Sequence, residues 1–491
     1  MADWRYEEHL RAPTGSGALP RDGHDGVAGG AACGDLVRLR IAVDGERVAA
    51  AGFVAEGCGA LTVCGSIACE LLDRATVRDA ARISVDALAA EVGGLHPGKR
   101  HAAELVADAL HRALGAAVAA DGRPRPSVDL AVAAGTEADA SPAAAAGPTL
   151  VAMSGGVDSA VAALMAVRDH PDAIAVTLEL WRDPANDAES SCCSHSAVRR
   201  ARDLAHRMGL PHLTLDLRDA FRAGVVEPWI AEHRAGRTPN PCVRCNGHVR
   251  LDAMLDLADR VGCATLTTGH YARTTADGLL RLAIDPGKDQ AYMLSALSPA
   301  AIARMRFPLG ELEKPAVRAI AADAGLPVAR TPDSQDLCFL AGTGRSAFLE
   351  RHGDLPDRPG PIRDLDRGAL VVGEHRGAHH YTVGQRRGLG GGAGEPRYVV
   401  GTDVAENVVT IGRRERLLTD RVTLEGLVLH RPAELVDAVK LRYRQPPQAA
   451  TLDHDGPAAT VRLATAQLRP AAGQTAMLLA GDVVVGSATI A

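Results

Sequence analysis

The sequence predicts a multidomain chain built around an α/β domain with a parallel sheet, preceded by a compact α+β module and followed by small β domains. Three observations carry this. An apolar β-like run at 150–153 enters Ser154-Gly155-Gly156-Val157-Asp158-Ser159 and a helix-like run from Ala160; β-like stretches at 173–180, 213–217 and 264–268 then alternate with helical patterns, as in a parallel sheet. Residues 116–148 break the pattern with an alanine-, proline- and glycine-rich stretch that reads as a flexible tether. From about 350 the texture changes to Gly/Pro-rich turns and short alternating strands, at 398–402, 408–411, 439–443 and 460–463.

Taken in order, the module before the tether has β-like runs at 36–43 and 48–54 and helical runs near 64–74 and 101–119. The expected divisions are 1–120, the linker 121–148, the parallel-sheet domain 149–345, a central domain 346–415 and a C-terminal domain 416–491. No internal repeat is present. The 491 residues give room for about three domains, and 46% apolar residues suffice for their cores, although only 3% are aromatic. Arginine almost entirely replaces lysine and alanine is abundant, which reads as coding bias. The net charge of −6 argues against a general affinity for nucleic acid, so an RNA site has to be a local basic surface. The N-terminus lacks an apolar signal core, and no stretch reaches the roughly 18 apolar residues of a membrane span. A cytoplasmic chain without membrane association is expected, and its ten cysteines are then reactive thiols or metal ligands rather than disulfides.

Strand, glycine turn and helix start at 149–160 together form an anion cradle, in which backbone N–H groups and the helix dipole face phosphate. The Walker A lysine and spacer are missing. Two serine hydroxyls and Asp158 suit a pyrophosphate with its Mg2+, so ATP is expected to be attacked at its α-phosphorus.

Cys242 and Cys245 form a C-x-x-C after Thr238-Pro-Asn-Pro241, which reads as a rigid extended or turn backbone rather than a helix start. Cys338 follows another turn. A structural zinc site wants paired spacings, and the remaining pair, Cys192-Cys193, is vicinal. Three thiols on two loops leave two uses open: a persulfide relay, or a three-cysteine [4Fe-4S] cluster on Cys242, Cys245 and Cys338. Cys263 reads as a buried core thiol.

The segments 154–159, 236–246, Thr268-Gly-His-Tyr-Ala272, Gly287-Lys-Asp-Gln-Ala-Tyr-Met293, 333–339 and His380-Tyr-Thr-Val-Gly-Gln-Arg-Arg-Gly388 resemble those of the tRNA-uridine 2-sulfurtransferases, from about 149 to 491. The resemblance implies a PP-loop (adenine nucleotide α-hydrolase-like) domain, a small central tRNA-binding domain and a C-terminal β-barrel. It implies ATP-dependent 2-thiolation of the wobble uridine in tRNAs of the lysine, glutamate and glutamine type. By position, Ala152, Met153, Ser154, Gly155, Gly156, Val157, Asp158 and Ser159 would hold ATP, with Leu178 and Gly269 beside it. Cys338 would carry persulfide sulfur, Cys245 would be the second catalytic thiol, and Asn240-Pro241-Cys242 would meet the base. Lys288, Asp289, Gln290, His270, Arg442, Tyr443 and Gln474 would contact tRNA. Two departures stand out: Cys242 replaces an aspartate common in the family, and Ala472 replaces a proline.

Residues 5–119 carry a second resemblance, through Glu8-His-Leu-Arg-Ala-Pro13, Ala32-Cys-Gly-Asp35, Gly57-Cys-Gly59 and Gly98-Lys-Arg-His-Ala102, to IscU/NifU-type iron–sulfur scaffolds. It implies an iron–sulfur cluster or zinc on Cys33, Asp35 and Cys58. The third cysteine falls on Ala102, leaving His101, or Cys64, as the substitute ligand. The module would then accept sulfur from a cysteine desulfurase or a sulfur relay protein. Two other readings stay open: a PP-loop synthetase of another class, and a non-enzymatic iron–sulfur or sulfur carrier.

Overall fold

The computed structural model describes residues 4–29, 34–120, 147–183, 195–333, 337–389, 395–455 and 458–491. The N-terminal module is an antiparallel meander of β1 (His24–Gly29), β2 (Leu36–Asp44) and β3 (Arg47–Glu56), covered by the helices Gly59–Leu72 and Arg100–Ala120. β2 alternates buried Val37, Leu39 and Ile41 with more exposed neighbours, the signature of a sheet with one buried face. β1 was not legible, because His-Asp-Gly-Val-Ala-Gly has the composition of a turn.

The next domain holds five parallel strands in the order β10-β7-β4-β5-β6: β4 (Thr149–Ala152), β5 (Ile174–Glu179), β6 (His212–Asp216), β7 (Thr265–Thr267) and β10 (Met305–Arg306). β4 is central, with β7 on one side and β5 on the other. Successive connections leave it in opposite directions, which opens a crevice at the carboxyl end of β4. The glycine turn lies there.

Residues 121–146 of the expected tether lie outside the described residues. The two domains nevertheless share one continuous apolar core, which includes Leu39 and Leu110 of the module and Leu150, Val176 and Leu213 of the parallel sheet. Helix Arg100–Ala120 lies directly on edge strand β6; a Cβ on Gly115 would come within 1.9 Å of the Thr214 carbonyl oxygen. Asp108 on this helix receives the guanidinium of buried Arg202 and that of Arg199 at 2.7 Å, and Arg112 pairs with Glu179 at 2.6 Å. Three imidazoles fill the seam. His111 Nδ1 is 2.8 Å from the His212 carbonyl oxygen, and His206 Nε2 is 3.2 Å from that of Ala81.

The central domain is a four-stranded sheet of Gly360–Asp364, Leu370–His375, Tyr398–Asp403 and Val408–Gly412. The C-terminal strands close on themselves, because Leu418–Leu429 pairs with both Ala458–Leu468 and Val483–Ile490. The strand expected at 439–443 is shorter, Ala438–Lys440, and Arg442 and Tyr443 stand in the turn that runs into Pro446 and Pro447. β8 (Arg273–Thr274) and β9 (Leu280–Arg281), although within the parallel-sheet domain's sequence, join the barrel sheet beside Val483–Ile490. Arg273 and Arg281 both reach Asp482.

Burial lowers the pKa of His111, His206 and His212. The folded seam therefore keeps them neutral while the unfolded chain takes up protons near pH 6.5. Their contribution to stability is complete above that pH and is lost as the pH falls below it. The thermal midpoint is expected to drop between pH 7.5 and 5.5, with a shallower slope for His206→Gln, as read by calorimetry.

Candidate active site

At the end of β4 the chain turns through Ser154–Gly156 and enters helix Val157–Asp169, whose N-cap is Gly156. Ser159 Oγ accepts the Ser154 N–H at 3.1 Å and donates to the Gly156 carbonyl at 3.1 Å, so this serine shapes the turn, while Ser154 is exposed to a ligand. Gly155 has φ +75°, and a Cβ there would approach the Ala197 carbonyl oxygen to 2.7 Å. From the loop after β7, Gly269 meets the start of the same helix: its Cβ would lie 2.8 Å from the Asp158 carbonyl carbon and from the Ser159 nitrogen.

These elements border an open cleft of about 220 Å³. Ala152, Met153, Ser154, Asp158, Ser159, Leu178 and Gly269 line it; Gly155, Gly156 and Val157, within the same turn, do not. His270 and Gln290, expected at a tRNA surface, also line this cleft. Arg250 approaches His270 Nε2 at 3.0 Å, which leaves Nδ1–H to donate to Thr268 Oγ1 at 2.8 Å. Burial, reinforced by Arg250, holds the His270 pKa down to about 3, so the ring is a neutral, fixed wall at physiological pH. Gln290 Oε1 accepts the Tyr271 N–H at 3.0 Å.

An ion network runs outward from the cleft. Lys314 Nζ donates to both oxygens of Asp158, at 2.6 and 2.8 Å, and lies 2.9 Å from Asp333. The Tyr271 hydroxyl also donates to Asp158, at 2.9 Å. Asp333 in addition receives Lys288 at 2.7 Å and Arg318 at 2.9 Å. Burial opposes ionisation of Asp333, but the bonds from Lys288 and Lys314 outweigh it and lower its pKa.

The thiols depart from expectation. Pro241–Cys245 is a helix that continues through 246–250 into Leu251–Arg260, so the C-x-x-C sits at a helix start and not on an extended loop. Asn240 is the N-cap, its Oδ1 accepting the N–H groups of Cys242 at 3.1 Å and Val243 at 3.4 Å, and Pro241 fills the first helical position, where its missing N–H costs nothing. Cys242 is half-buried and Cys245 buried. Half-buried Cys338 precedes Phe339, whose ring meets Trp229 at 5.2 Å and Phe221 at 6.0 Å, and the helix of Cys245 packs on Arg222–Val226 just after Phe221. Phe339 thus brings the segment of Cys338 to an aromatic cluster beside the stretch on which the Cys245 helix packs. Cys263 is buried, and its thiol is pushed up to about 12 by that burial. Cys192 and Cys193 lie outside the described residues.

Segment 288–293 joins these parts. Lys288 reaches Asp333, Gln290 lines the cleft, and the Asn240 Nδ2 donates to Met293 Sδ at 3.9 Å. The Tyr292 hydroxyl donates to the Thr475 carbonyl at 2.8 Å, with its ring 6.2 Å from Tyr443. Asp289 is buried and pairs with buried Lys440 at 3.1 Å. Gln474 donates to the Thr238 carbonyl, and Arg442 to that of Arg469 at 3.1 Å. Asp289 and Gln474 thus brace the fold in this state. Arg250 and Lys314 escaped the sequence reading, and Thr268 and Asp333, although inside motifs that carry the resemblance, were given no role there. A signal existed: the chain has four lysines, at 99, 288, 314 and 440, among 54 basic residues, and three of them lie in this region. Where arginine is the default, a remaining lysine marks a site that wants a compact point charge.

In the module, Asp35, Cys58 and His101 place one ligand atom each within 4.8 Å of one another. Asp35 Oδ1 accepts the Cys58 N–H at 3.0 Å, and its Oδ2 lies 3.3 Å from Cys58 Sγ and 2.9 Å from His101 Nε2. This oxygen, sulfur and nitrogen set fits a zinc-class ion or an iron centre. Cys33 lies outside the described residues. Cys64 is buried in the helix core, its thiol pushed up to about 12 by burial, and it stands outside this group of ligand atoms; Ala102 is core as well. Among the described residues this is the one group of at least three such ligand atoms; Cys242, Cys245 and Cys338 do not form another.

Family models match in the same order as the domains: a NifU-like N terminal domain at 5–119, a tRNA methyl transferase HUP domain at 148–342, a tRNA methyl transferase PRC-barrel domain at 346–413 and an aminomethyltransferase beta-barrel domain at 429–490. The chain is 38% identical over 491 residues to the bifunctional protein NifU/MnmA of Rubrobacter xylanophilus, covering 99% of this chain and 98% of that one. It belongs to the NifU/MnmA family. The tRNA-specific 2-thiouridylases MnmA of Heliobacterium modesticaldum and Salinispora arenicola are 42% and 43% identical, each over 70% of this chain and 91% and 98% of theirs. The region they share with this chain corresponds in extent to the three domains after the tether; the NifU/MnmA relative covers the module as well. Among the described residues no helix is long and apolar enough to cross a membrane.

The contact between Gly269 and the helix start makes a sharp prediction for this NifU/MnmA chain. Gly269→Ala forces its methyl against main-chain atoms of Asp158 and Ser159, and is expected to weaken ATP binding by roughly tenfold or more, about 1.4 kcal/mol, in titration calorimetry.

Proposed function

We propose that this chain replaces oxygen 2 of the wobble uridine in tRNA by sulfur, with ATP as the activating substrate. The observation that carries the reading is segment 288–293, which lines the nucleotide cleft through Gln290, bonds Asp333 through Lys288, and meets the N-cap of the Cys242–Cys245 helix through Met293.

A uracil carbonyl oxygen is a poor leaving group. Its oxygen attacks the α-phosphorus of ATP, the bond to the β-phosphate oxygen breaks, and pyrophosphate leaves into the cradle of Ser154–Ser159. Mg2+ carried with the nucleotide would be met by Asp158 and would offset phosphate charge. A persulfide on Cys338 then attacks carbon 2, the carbon–oxygen bond breaks and AMP departs. The product remains joined to Cys338 through a sulfur–sulfur bond. The Cys245 thiolate attacks Cys338 Sγ, releases the thiolated tRNA and leaves a Cys245–Cys338 disulfide, which a dithiol reductant reopens. The target base enters by leaving its stack, as base-modifying enzymes require. Exposed Arg386 and Arg387, in the segment that touches the Cys242 loop through Thr382 and Thr238 at 3.2 Å, supply the local basic surface an acidic chain needs for RNA. The substrates proposed are the lysine-, glutamate- and glutamine-type tRNAs.

Mass spectrometry of tRNA nucleosides tests this directly. Cys338→Ser is expected to form no 2-thiouridine while tRNA-dependent pyrophosphate release continues; Cys245→Ser is expected to accumulate a disulfide-linked protein–tRNA adduct that dithiothreitol releases. Thiolation by Cys338→Ser at the wild-type rate refutes the scheme.

The NifU-like module is proposed to receive sulfur or metal, from a cysteine desulfurase or relay protein, at Asp35, Cys58 and His101. Asp35→Ala removes the ligand that touches both others and is expected to abolish bound zinc and iron, as measured by elemental analysis of protein purified without oxygen. Full metal content in that variant excludes this site.

A further inference from the structure

We infer that Arg250 is a catalytic residue of the activation step, its guanidinium holding the α-phosphate of ATP, the group that becomes joined to the target base. The inference deepens the reading of the cleft as an ATP site and rests on it. Arg250 borders the cleft beside Met254, Thr268 and His270, and among the described residues that line it Arg250 is the one cationic side chain. Lys314, the positive charge bonded to Asp158 of that lining, is also held by Asp333.

The guanidinium is fixed by the protein itself. Its Nη2 donates to Asn246 Oδ1 and, at 3.0 Å, to His270 Nε2, which uses both N–H groups of that nitrogen. Asn246 is buried, and His270 is tied in turn to Thr268 Oγ1 at 2.8 Å. Because the fork is planar, two bonds to one nitrogen set its plane and with it the direction of Nη1. Nε is buried without a partner, whereas Nη1 is neither buried in that way nor bonded to a described residue. Nη1 is therefore the end left to meet a ligand. A donor held in this manner needs no rearrangement when charge develops, which is how electrostatic contacts accelerate reactions.

Its place in the chain selects the phosphate. Arg250 ends the π-helical turn 246–250 that follows directly on Pro241–Cys245, so one continuous helix carries both the guanidinium and the Cys245 thiol. Such turns are rare and concentrate at functional sites. The glycine turn, on another element, suits the departing pyrophosphate; the thiol-bearing helix presents its cation to the phosphate that has to meet base and sulfur. As the uracil oxygen bonds to the α-phosphorus, the bond to the bridging oxygen breaks and pyrophosphate takes the electron pair. Arg250 exchanges no proton in this step and offsets charge on the non-bridging α-oxygens.

Single-turnover pyrophosphate release from the full chain, with tRNA and saturating magnesium and ATP, tests this beside calorimetry with an ATP analogue carrying an α,β-methylene bridge. Arg250→Met is expected to lower the release rate about 100-fold, the usual cost of one lost oxyanion donor, while affinity for the analogue falls by no more than about tenfold. Should that variant fold poorly, Arg250→Ala in the presence of methylguanidinium carries the test: the added cation is expected to raise its rate about tenfold, and methylurea, neutral and of the same shape, is expected to leave it unchanged. A rate for Arg250→Met within about threefold of wild type at saturating ATP overturns the inference and leaves the ATP reading standing. So does methylguanidinium that fails to outdo methylurea. A wild-type protein that neither binds the analogue nor releases pyrophosphate overturns both.

Discussion

The buried ion pair between Asp289 and Lys440 is the constraint on which the site's assembly rests. Each side chain is almost wholly removed from water, and Asp289 Oδ1 also receives the N–H groups of Ala283 and Ala291 at 3.0 and 3.4 Å. Removing either partner of such a pair strands a charge in the interior, at about 3–5 kcal/mol. What the pair fastens is the stretch from Lys288 to Met293, clamped between the parallel-sheet domain and the barrel. The β8–β9 hairpin adds a second tie to the same barrel through Asp482. The cleft, the aromatic cluster and the cysteine helix keep their mutual placement because one short segment cannot move independently of the barrel.

Much of this was legible where chemistry is local in sequence. The glycine turn announces itself because strand, turn residues and helix follow within a dozen positions, and the cleft forms around them. Four of the five parallel strands were legible because each is a short apolar run between helical patterns; the edge strand Met305–Arg306, two residues long and half polar, was not. The start of the Cys242 helix was not, although its signal was present: asparagine followed by proline is as good a helix beginning as a turn, and only the apolar positions at Val243, Val249 and Leu251 decide between them. Asp289 illustrates the harder case. A polar side chain near a functional motif looks like a surface contact, and its burial depends on Lys440, 151 residues downstream. No local pattern encodes that.

The fusion is a packing fact as well as a covalent one. An open parallel sheet leaves its edge strands with unpaired backbone groups and uncovered apolar flanks. Here β6 is covered along its length by Arg100–Ala120, and the approach is so close that only glycine fits at position 115. Asp108 then serves two arginines from the opposite side of the seam. The module and the parallel sheet cannot swing freely about the 121–148 stretch; whatever passes between their sites does so across a fixed separation.

The scarcity of lysine has a chemical corollary. Of the four lysines, Lys99 is exposed; Lys314 and Lys440 are shielded and Lys288 is partly so. Amine-directed acylation of the native chain can therefore mark Lys99 with little consequence elsewhere. Any acyl group that does reach a further lysine has entered the polar lattice between cleft and barrel. Carbamylation or acetylation, which on most proteins scatters over a tolerant exterior, becomes for this chain a probe of its interior.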